Sequence, residues 1–339
     1  MRPFIYQRVG GLGEAVGIAG QVASPVPPTL APIQFLAGGT TILDLMKLDV
    51  MQPEVLVDIR DLGPAGRLIE QRANALYLGA FATMAEAAEH PAVKDNYPVL
   101  AQSLELAASP QLRNMATLGG NLLQRTRCAY FRDPSWGQCN KRAPGSGCAA
   151  LDGVNRKHAV LGVSANCIAA YPGDFAQALV ALDAVAEIVG PAGNRVVEVA
   201  ELHREPGDAP HIETNLLPGE VIVGFLVPQA AWARRSLYLK IRDRESYEFA
   251  LASAAVALDL ADGTVNTARI ALGGVATKPW RARAAEAALN GQKLDEAAAR
   301  HTADIAFADA QPRGDNQYKR ELGQRTLVRA LLQAAQLNV

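Results

Sequence analysis

Long apolar runs are missing from this sequence, and none approaches the roughly 18 residues that a helix needs to cross a bilayer. The opening stretch MRPFIYQRVGGLGEA has one early arginine, no sustained apolar core and no small-residue cleavage site. That argues against a secretory signal. The expectation is a cytoplasmic chain, with the periplasm open to it by co-export beside a signal-bearing partner. An excess of either charge is missing too: 33 Lys and Arg face 34 Asp and Glu, a net charge of −1. Neither nucleic acid nor an anionic membrane is an expected partner on that balance. Cysteine is scarce, four in 339 residues, and no two form a CxxC. There is no GxGxxG, no P-loop, no Ser-His-Asp arrangement and no carboxylate pair suited to hydrolysis, so neither a Rossmann site nor a hydrolase is indicated.

What is present describes a folded protein. Hydrophobic residues make up 49% and charged residues 20%, and the length allows two or three domains with real cores. Up to about residue 125, short strands alternate with short helices. Gln34–Ala37, Val55–Ile59 and Ala75–Leu78 have strand character, and Thr40–Leu48, Thr83–His90 and Val99–Ala108 have helical periodicity. This is an α+β pattern rather than the regular βαβ alternation of a doubly wound sheet. Residues 126–167 are rich in Gly and Pro, too long for an ordinary connection and too irregular for a core of their own. A helix at Gly173–Ala184 and strands at Ala186–Val189 and Arg195–Val199 follow. From about residue 233, three strand-like segments (Ser236–Lys240, Phe249–Leu260, Asn266–Ala271) precede three helical ones (Trp280–Leu289, Leu294–Ala308, Gln317–Leu337), the order of a compact α+β domain.

Two glycine pairs stand in predicted strand-to-helix turns: Leu36-Ala37-Gly38-Gly39-Thr40-Thr41-Ile42 and Ala116-Thr117-Leu118-Gly119-Gly120-Asn121-Leu122. Glycine lets backbone N–H groups approach a phosphate closely, and a helix beginning there adds free N–H groups. Either pair alone is more often an ordinary turn. The second signal is Cys128-x10-Cys139-x8-Cys148-x18-Cys167. Its spacing leaves iron–sulfur and zinc open, with disulfides behind both. Between residues 124 and 158 seven basic residues (Arg125, Arg127, Arg132, Lys141, Arg142, Arg156, Lys157) face two acidic ones (Asp133, Asp152). That surplus suits an anionic cluster, or a solvated or partner-binding surface. His158 reads as a hydrogen-bonded residue rather than a ligand, and Tyr130, Phe131 and Trp136 as packing groups.

Taken together, FLAGGTTILDLMK, LRNMATLGGNL, GDFAQALVALDA and RIALGGVATKPWRARAAEAAL, in that order, resemble the FAD-binding subunits of the xanthine dehydrogenase and carbon monoxide dehydrogenase flavoprotein family. The resemblance spans nearly the whole chain. It implies a vanillyl-alcohol-oxidase-type FAD-binding domain over residues 1–230 and a C-terminal α+β flavoprotein domain over 233–339. It also implies that Leu36, Ala37, Gly38, Gly39, Thr40, Thr41 and Ile42 form one loop around the FAD pyrophosphate, and Thr117, Gly120, Asn121 and Gln124 the other. Asp174 takes the acidic position near the ribityl or ribose hydroxyls, where the plainer reading is a helix N-cap. Lys240 lies in a stretch that relatives bring near the flavin.

Most members of the family lack the cysteine segment. QRTRCAYFRDPSWGQCNKRAPGSGCAALDGVNRKHAVLG resembles the bacterial aldehyde oxidoreductase FAD subunits that carry an additional [4Fe-4S] cluster. An all-cysteine cluster then uses Cys128, Cys139, Cys148 and Cys167, the last standing apart at the edge of an apolar strand. The implied assembly is a heterotrimer. A large subunit with the molybdenum cofactor oxidises substrate, and a small subunit's [2Fe-2S] clusters pass electrons to FAD on this chain and on to an external acceptor. The alternatives are reversed flow as in 4-hydroxybenzoyl-CoA reductase, a zinc-binding assembly module, and a self-contained flavin oxidase.

Overall fold

A computed structural model describes residues 1–21 and 28–339. Among these residues twelve strands form three sheets. Strands β1 (Ile5–Arg8), β2 (Ile33–Leu36) and β3 (Val55–Asp58) make a small parallel sheet with β3 in the middle. Helices Leu12–Ala19 and Ile42–Lys47 cross between them. The described part of the first 58 residues runs β-α-β-α-β, and the first of its strands does not stand out in the sequence. The cause is that β1 is an edge strand of four residues with mostly exposed side chains, too short and too wet to show a period of two.

β4 (Ile69–Gln71), β5 (Ala75–Gly79), β6 (Val185–Gly190), β7 (Gly193–Glu198) and β8 (Val221–Pro228) form an antiparallel sheet in the order β4-β5-β8-β6-β7. Its central strand, β8, went unrecognised in the sequence. VIVGFLVP is one apolar run without alternation, and both its partners lie far away in the chain. Phe225 of β8 meets the ring of Phe175 edge-on at 6.0 Å in the main core.

The third sheet, β9 (Ser236–Ile241), β10 (Ala252–Ala261), β11 (Thr264–Gly273) and β12 (Trp280–Arg281), is antiparallel. Trp280–Leu289, read as one helix, opens as β12 and turns helical only at Arg283–Leu289. Ala254, Val256 and Leu258 face a core with helices Glu296–Ala306 and Tyr318–Ala335, while Ala255 and Ala257 face the core that holds Phe175. With both faces of β10 covered, its middle stretch Ala254–Leu258 is apolar without interruption. Alanine on the second face lets helices Pro98–Glu105 and Phe175–Ala181 approach closely. Among the described residues, no helix is long and apolar enough to cross a membrane.

The cysteine-bearing segment has little regular structure beyond helix Ala129–Arg132, but it is well anchored. Val160 and Leu161 enter the C-terminal core, and Phe131 enters the core around Leu45. Because Phe225 is fully buried at the crossing of sheet and helix, Phe225→Ala is expected to cost roughly 3–5 kcal/mol. The check is the urea midpoint of the purified chain, and a loss under about 1 kcal/mol would mean β8 does not anchor this core.

Candidate functional site

A cavity of about 430 Å³ lies between the parallel β-α-β unit, the helix Leu118–Leu122 and the segment around Leu216–Ile222. Each glycine pair supplies a wall. β2 ends at Leu36, Gly39 turns the chain at φ +76°, and the next helix starts at Ile42. In the second loop the Thr117 hydroxyl accepts from the Gly120 N–H at 3.1 Å and caps the helix Leu118–Leu122. The two loops touch: a Cβ on Gly38 would collide with the Met115 carbonyl, so only glycine allows this approach.

Nine of the residues anticipated from the sequence line the cavity, namely Ala37 to Ile42 in the first loop and Thr117, Gly120 and Gln124 in the second. Leu36 sits behind the wall in a core with Leu45. Asn121 also stands behind it, its Nδ2 donating to Met84 Sδ at 3.3 Å and its Oδ1 without a partner. Asp174 and Lys240 are not brought to the cavity. They form a buried ion pair of 2.7 Å, with Tyr238 donating to Asp174 at 2.7 Å and Lys240 donating to the Leu106 carbonyl at 3.0 Å. Asp174 does precede the helix Phe175–Ala181, yet its side chain makes no capping bond.

Several residues in the wall were missed: Arg125, Lys141, Tyr171, His203 and Glu213. Arg125 was within reach, being next to Gln124. Glu213 and His203 sit in a stretch with no periodicity or motif, and only the fold brings them here. Lys141 Nζ donates to Glu213 Oε1 at 2.9 Å, and Arg125 pairs with Oε2 of the same carboxylate. Burial pushes the Glu213 carboxyl up, but Arg125 and Lys141 outweigh it and hold it below its usual range. His203 donates from Nε2 to the Leu122 carbonyl at 3.0 Å and packs edge-on against Tyr171. Burial pushes its pKa down to about 4, so the imidazole is neutral at pH 7. Hydroxyls, glycine N–H groups, two cations and an apolar wall suit a long anionic dinucleotide. The buried Arg125 Nη2, which has no acceptor, fits the same ligand.

Beside this wall the fold gathers all four cysteines. Cys139 and Cys148 face each other across an antiparallel bridge, and the Cys148 and Cys167 thiols are hydrogen-bonded. Cys167, which stands apart in the sequence, is thus a full member of the group. Cys128 lies 3.2 Å from His158 Nε2, and its sulfur faces the N–H groups of Phe131 and Tyr130. The Cys148 sulfur faces the Ala150, Ile168 and Leu151 N–H groups. The neighbouring Cys167 thiol and backbone N–H groups hold the Cys148 thiol below its usual range, and burial pushes Cys128 up to about 12. No three His, Cys, Asp or Glu side chains among the described residues close on a single ion.

The basic surplus of the cysteine segment does not survive folding as a free surface. Asp44 takes Arg127 and Arg132, Glu213 takes Arg125 and Lys141, Asp243 takes Arg156, and Glu248 takes Lys157. Arg142 instead donates to the carbonyls of Tyr130 and Phe131 at 2.7 and 2.8 Å. Those carboxylates lie outside the segment, so its local count could not reveal them. Of the aromatics, Phe131 is fully buried, while Trp136 packs on Tyr130 and remains half exposed.

Residues 4–230 match the family described as FAD binding domain in molybdopterin dehydrogenase, and residues 237–334 match the CO dehydrogenase flavoprotein C-terminal domain. The chain belongs to this family. It is similar to the aldehyde oxidoreductase FAD-binding subunit PaoB of Escherichia coli (strain K12), at 45% identity over 335 residues, covering 98% of this chain and 99% of that protein. Among solved structures it resembles carbon monoxide dehydrogenase from Hydrogenophaga pseudoflava, with a TM-score of 0.74, 30% identity and 99% and 98% of the two chains covered. It also resembles quinoline 2-oxidoreductase from Pseudomonas putida 86, with a TM-score of 0.73, 26% identity and the same coverage. As a member of this molybdopterin dehydrogenase family the chain is an oxidoreductase subunit, and FAD is the cofactor its larger domain is built for.

Two expected outcomes test the site. Gly38→Ala forces the loops apart, so the purified variant should lose most of its FAD on gel filtration while keeping its circular dichroism spectrum. Full FAD retention would remove the loop contact from the binding site. For His203, the unfolded imidazole takes a proton near pH 6.5 and the folded one only near pH 4. The unfolded state therefore binds more protons between these values, and stability falls as pH drops through that window, by roughly 3 kcal/mol at most. Chemical denaturation at pH 7.5 and 4.5 should show a smaller acid loss in His203→Gln than in the unmodified chain.

Proposed function

We propose that this chain is the FAD- and [4Fe-4S]-bearing electron-transfer subunit of a heterotrimeric molybdenum hydroxylase that oxidises aldehydes. The domain division is residues 1–230 for FAD and 233–339 for the C-terminal unit. Cys128, Cys139, Cys148 and Cys167 hold the cluster. The Ala37–Ile42 loop and Thr117, Gly120 and Gln124 hold FAD, with Leu36 and Asn121 shaping the loops from behind. The Asp174–Lys240 pair supports the helix Phe175–Ala181 from the second layer rather than by contact with the cavity.

One observation carries this reading: chain neighbours of three of the four cysteines line the cavity. Thr126, Lys141 and Ala169 line the cavity, and each lies two residues from a cysteine, Cys128, Cys139 and Cys167 in turn. Ile42 and Met51 of the cavity wall also pack in the same cluster as Cys139 and Cys128. Two redox groups held there are separated by side chains, not by a domain, which favours a relay to an external acceptor over a remote structural role. Bound flavin supplies the ability to take up electrons singly and release them as a pair. The chain's own residues hold and orient the cofactor, and they keep water from it with the apolar wall of Ile42, Met51 and Leu123. Similarity to the aldehyde oxidoreductase subunit supports aldehydes as the substrate class, oxidised on a large molybdenum-cofactor subunit. A small [2Fe-2S] subunit completes the proposed path. A zinc module has less support, because the thiols do not close on one ion.

The test is an anaerobic visible spectrum of the purified chain, with iron, acid-labile sulfide and zinc measured on the same sample. Flavin bands, a broad absorption that bleaches with dithionite and about four irons per chain are expected. Cys148→Ser should lose the iron and keep the flavin. One zinc and no iron would overturn the cluster, and a chain that never retains FAD would overturn the whole reading.

A further inference from the structure

The cavity and the thiol group are joined by one buried charged unit. Arg125 stands three residues before Cys128, and Lys141 two residues after Cys139. Their side chains are 11% and 10% exposed, and both grip Glu213, itself 20% exposed. Lys141 Nζ also donates to the Pro210 carbonyl at 3.1 Å. Arg125 lies over the Phe131 ring at 5.0 Å, and Phe131 packs in the same core as Cys139. All three charged residues line the cavity. Two cations and one carboxylate leave a net charge of +1 between the two places, in a region where burial weakens screening. His203, the nearby imidazole in the wall, is neutral and does not cancel it.

The unit is also unsaturated. Arg125 Nη2 is buried without an acceptor, and a buried guanidinium N–H left unpaired is costly. An oxygen of the cavity's ligand is the natural acceptor.

We propose that Arg125, Glu213 and Lys141 form a cationic bridge that binds FAD through Arg125 Nη2 and raises the reduction potentials of flavin and cluster together. The cluster half rests on the function proposed above. An electron arriving at either group adds negative charge, and fixed positive charge nearby stabilises the reduced form. The bridge itself makes and breaks no bond and transfers no proton. Its residues are positioning residues whose effect is electrostatic.

The experiment is a reductive titration of the purified complex, following flavin by visible absorption and the cluster by electron paramagnetic resonance. Lys141→Met, which removes a positive charge, should move both midpoint potentials down. Glu213→Gln, which keeps volume and removes a negative charge, should move both up. Arg125→Lys keeps the charge but loses the fork, so FAD should wash out faster on gel filtration while the potentials of the loaded fraction hold. A merely structural role would not give opposite shifts for the two charge changes. Unchanged potentials in Glu213→Gln and Lys141→Met with full FAD and iron would overturn the bridge, and so would shifts of one sign in both. Should Lys141→Met fail to fold, the sign of the Glu213→Gln shift decides. If the unmodified complex holds FAD without iron, the cluster reading fails, and the flavin potential alone still judges the bridge.

Discussion

The close contact between Gly38 and the Met115 carbonyl governs the architecture of the site. It joins a loop of the parallel β-α-β unit to the segment leading into helix Leu118–Leu122. Gly79 of β5 repeats the device, since a Cβ there would strike the backbone of Gly66. At both places the chains approach to within backbone contact, which no other residue permits. The cavity is the space left when two subdomains are held this near yet diverge beyond the contact.

Rigidity on the other side comes from β10, which is covered on both faces. One face meets the C-terminal helices and the other meets helices of the FAD-binding part. The two family-matched regions are therefore fastened through a shared core. The cysteine segment, which has no core large enough to fold alone, borrows order from both. Val160 and Leu161 lie in the C-terminal core, Phe131 in the first, and ion pairs to Asp44 and Asp243 pin it at opposite ends. Four thiols on an irregular chain stay together because their surroundings are fixed.

Charge follows the same logic. Asp44 and Glu213 each serve two cations, so each site is positive by one. Buried ion pairs add little net stability, because desolvation offsets attraction. Their value here is positional: they hold the segment in place and leave fixed positive charge beside it.

How much of this was legible depends on how far apart in the chain the partners lie. Both glycine pairs could be recognised because a turn and the element after it are neighbours in sequence. The long helix Tyr318–Ala335 was visible through its own periodicity. Strand β8 was not, because a run buried in mid-sheet carries no alternation and its partners are remote. β1 was hidden by its shortness. That Asp174 and Lys240 pair with each other was not legible either, because the two stand 66 residues apart and meet only as a buried carboxylate and ammonium that satisfy one another. The sequence by itself determined that four thiols fall within 40 residues and that two glycine pairs stand ready for close approach. Only the tertiary structure decided that Glu213 meets Arg125 and Lys141 in the wall of one cavity, and that Cys167 joins the other thiols. Such pairings are set by which distant segments pack together, and local periodicity contains no information about that.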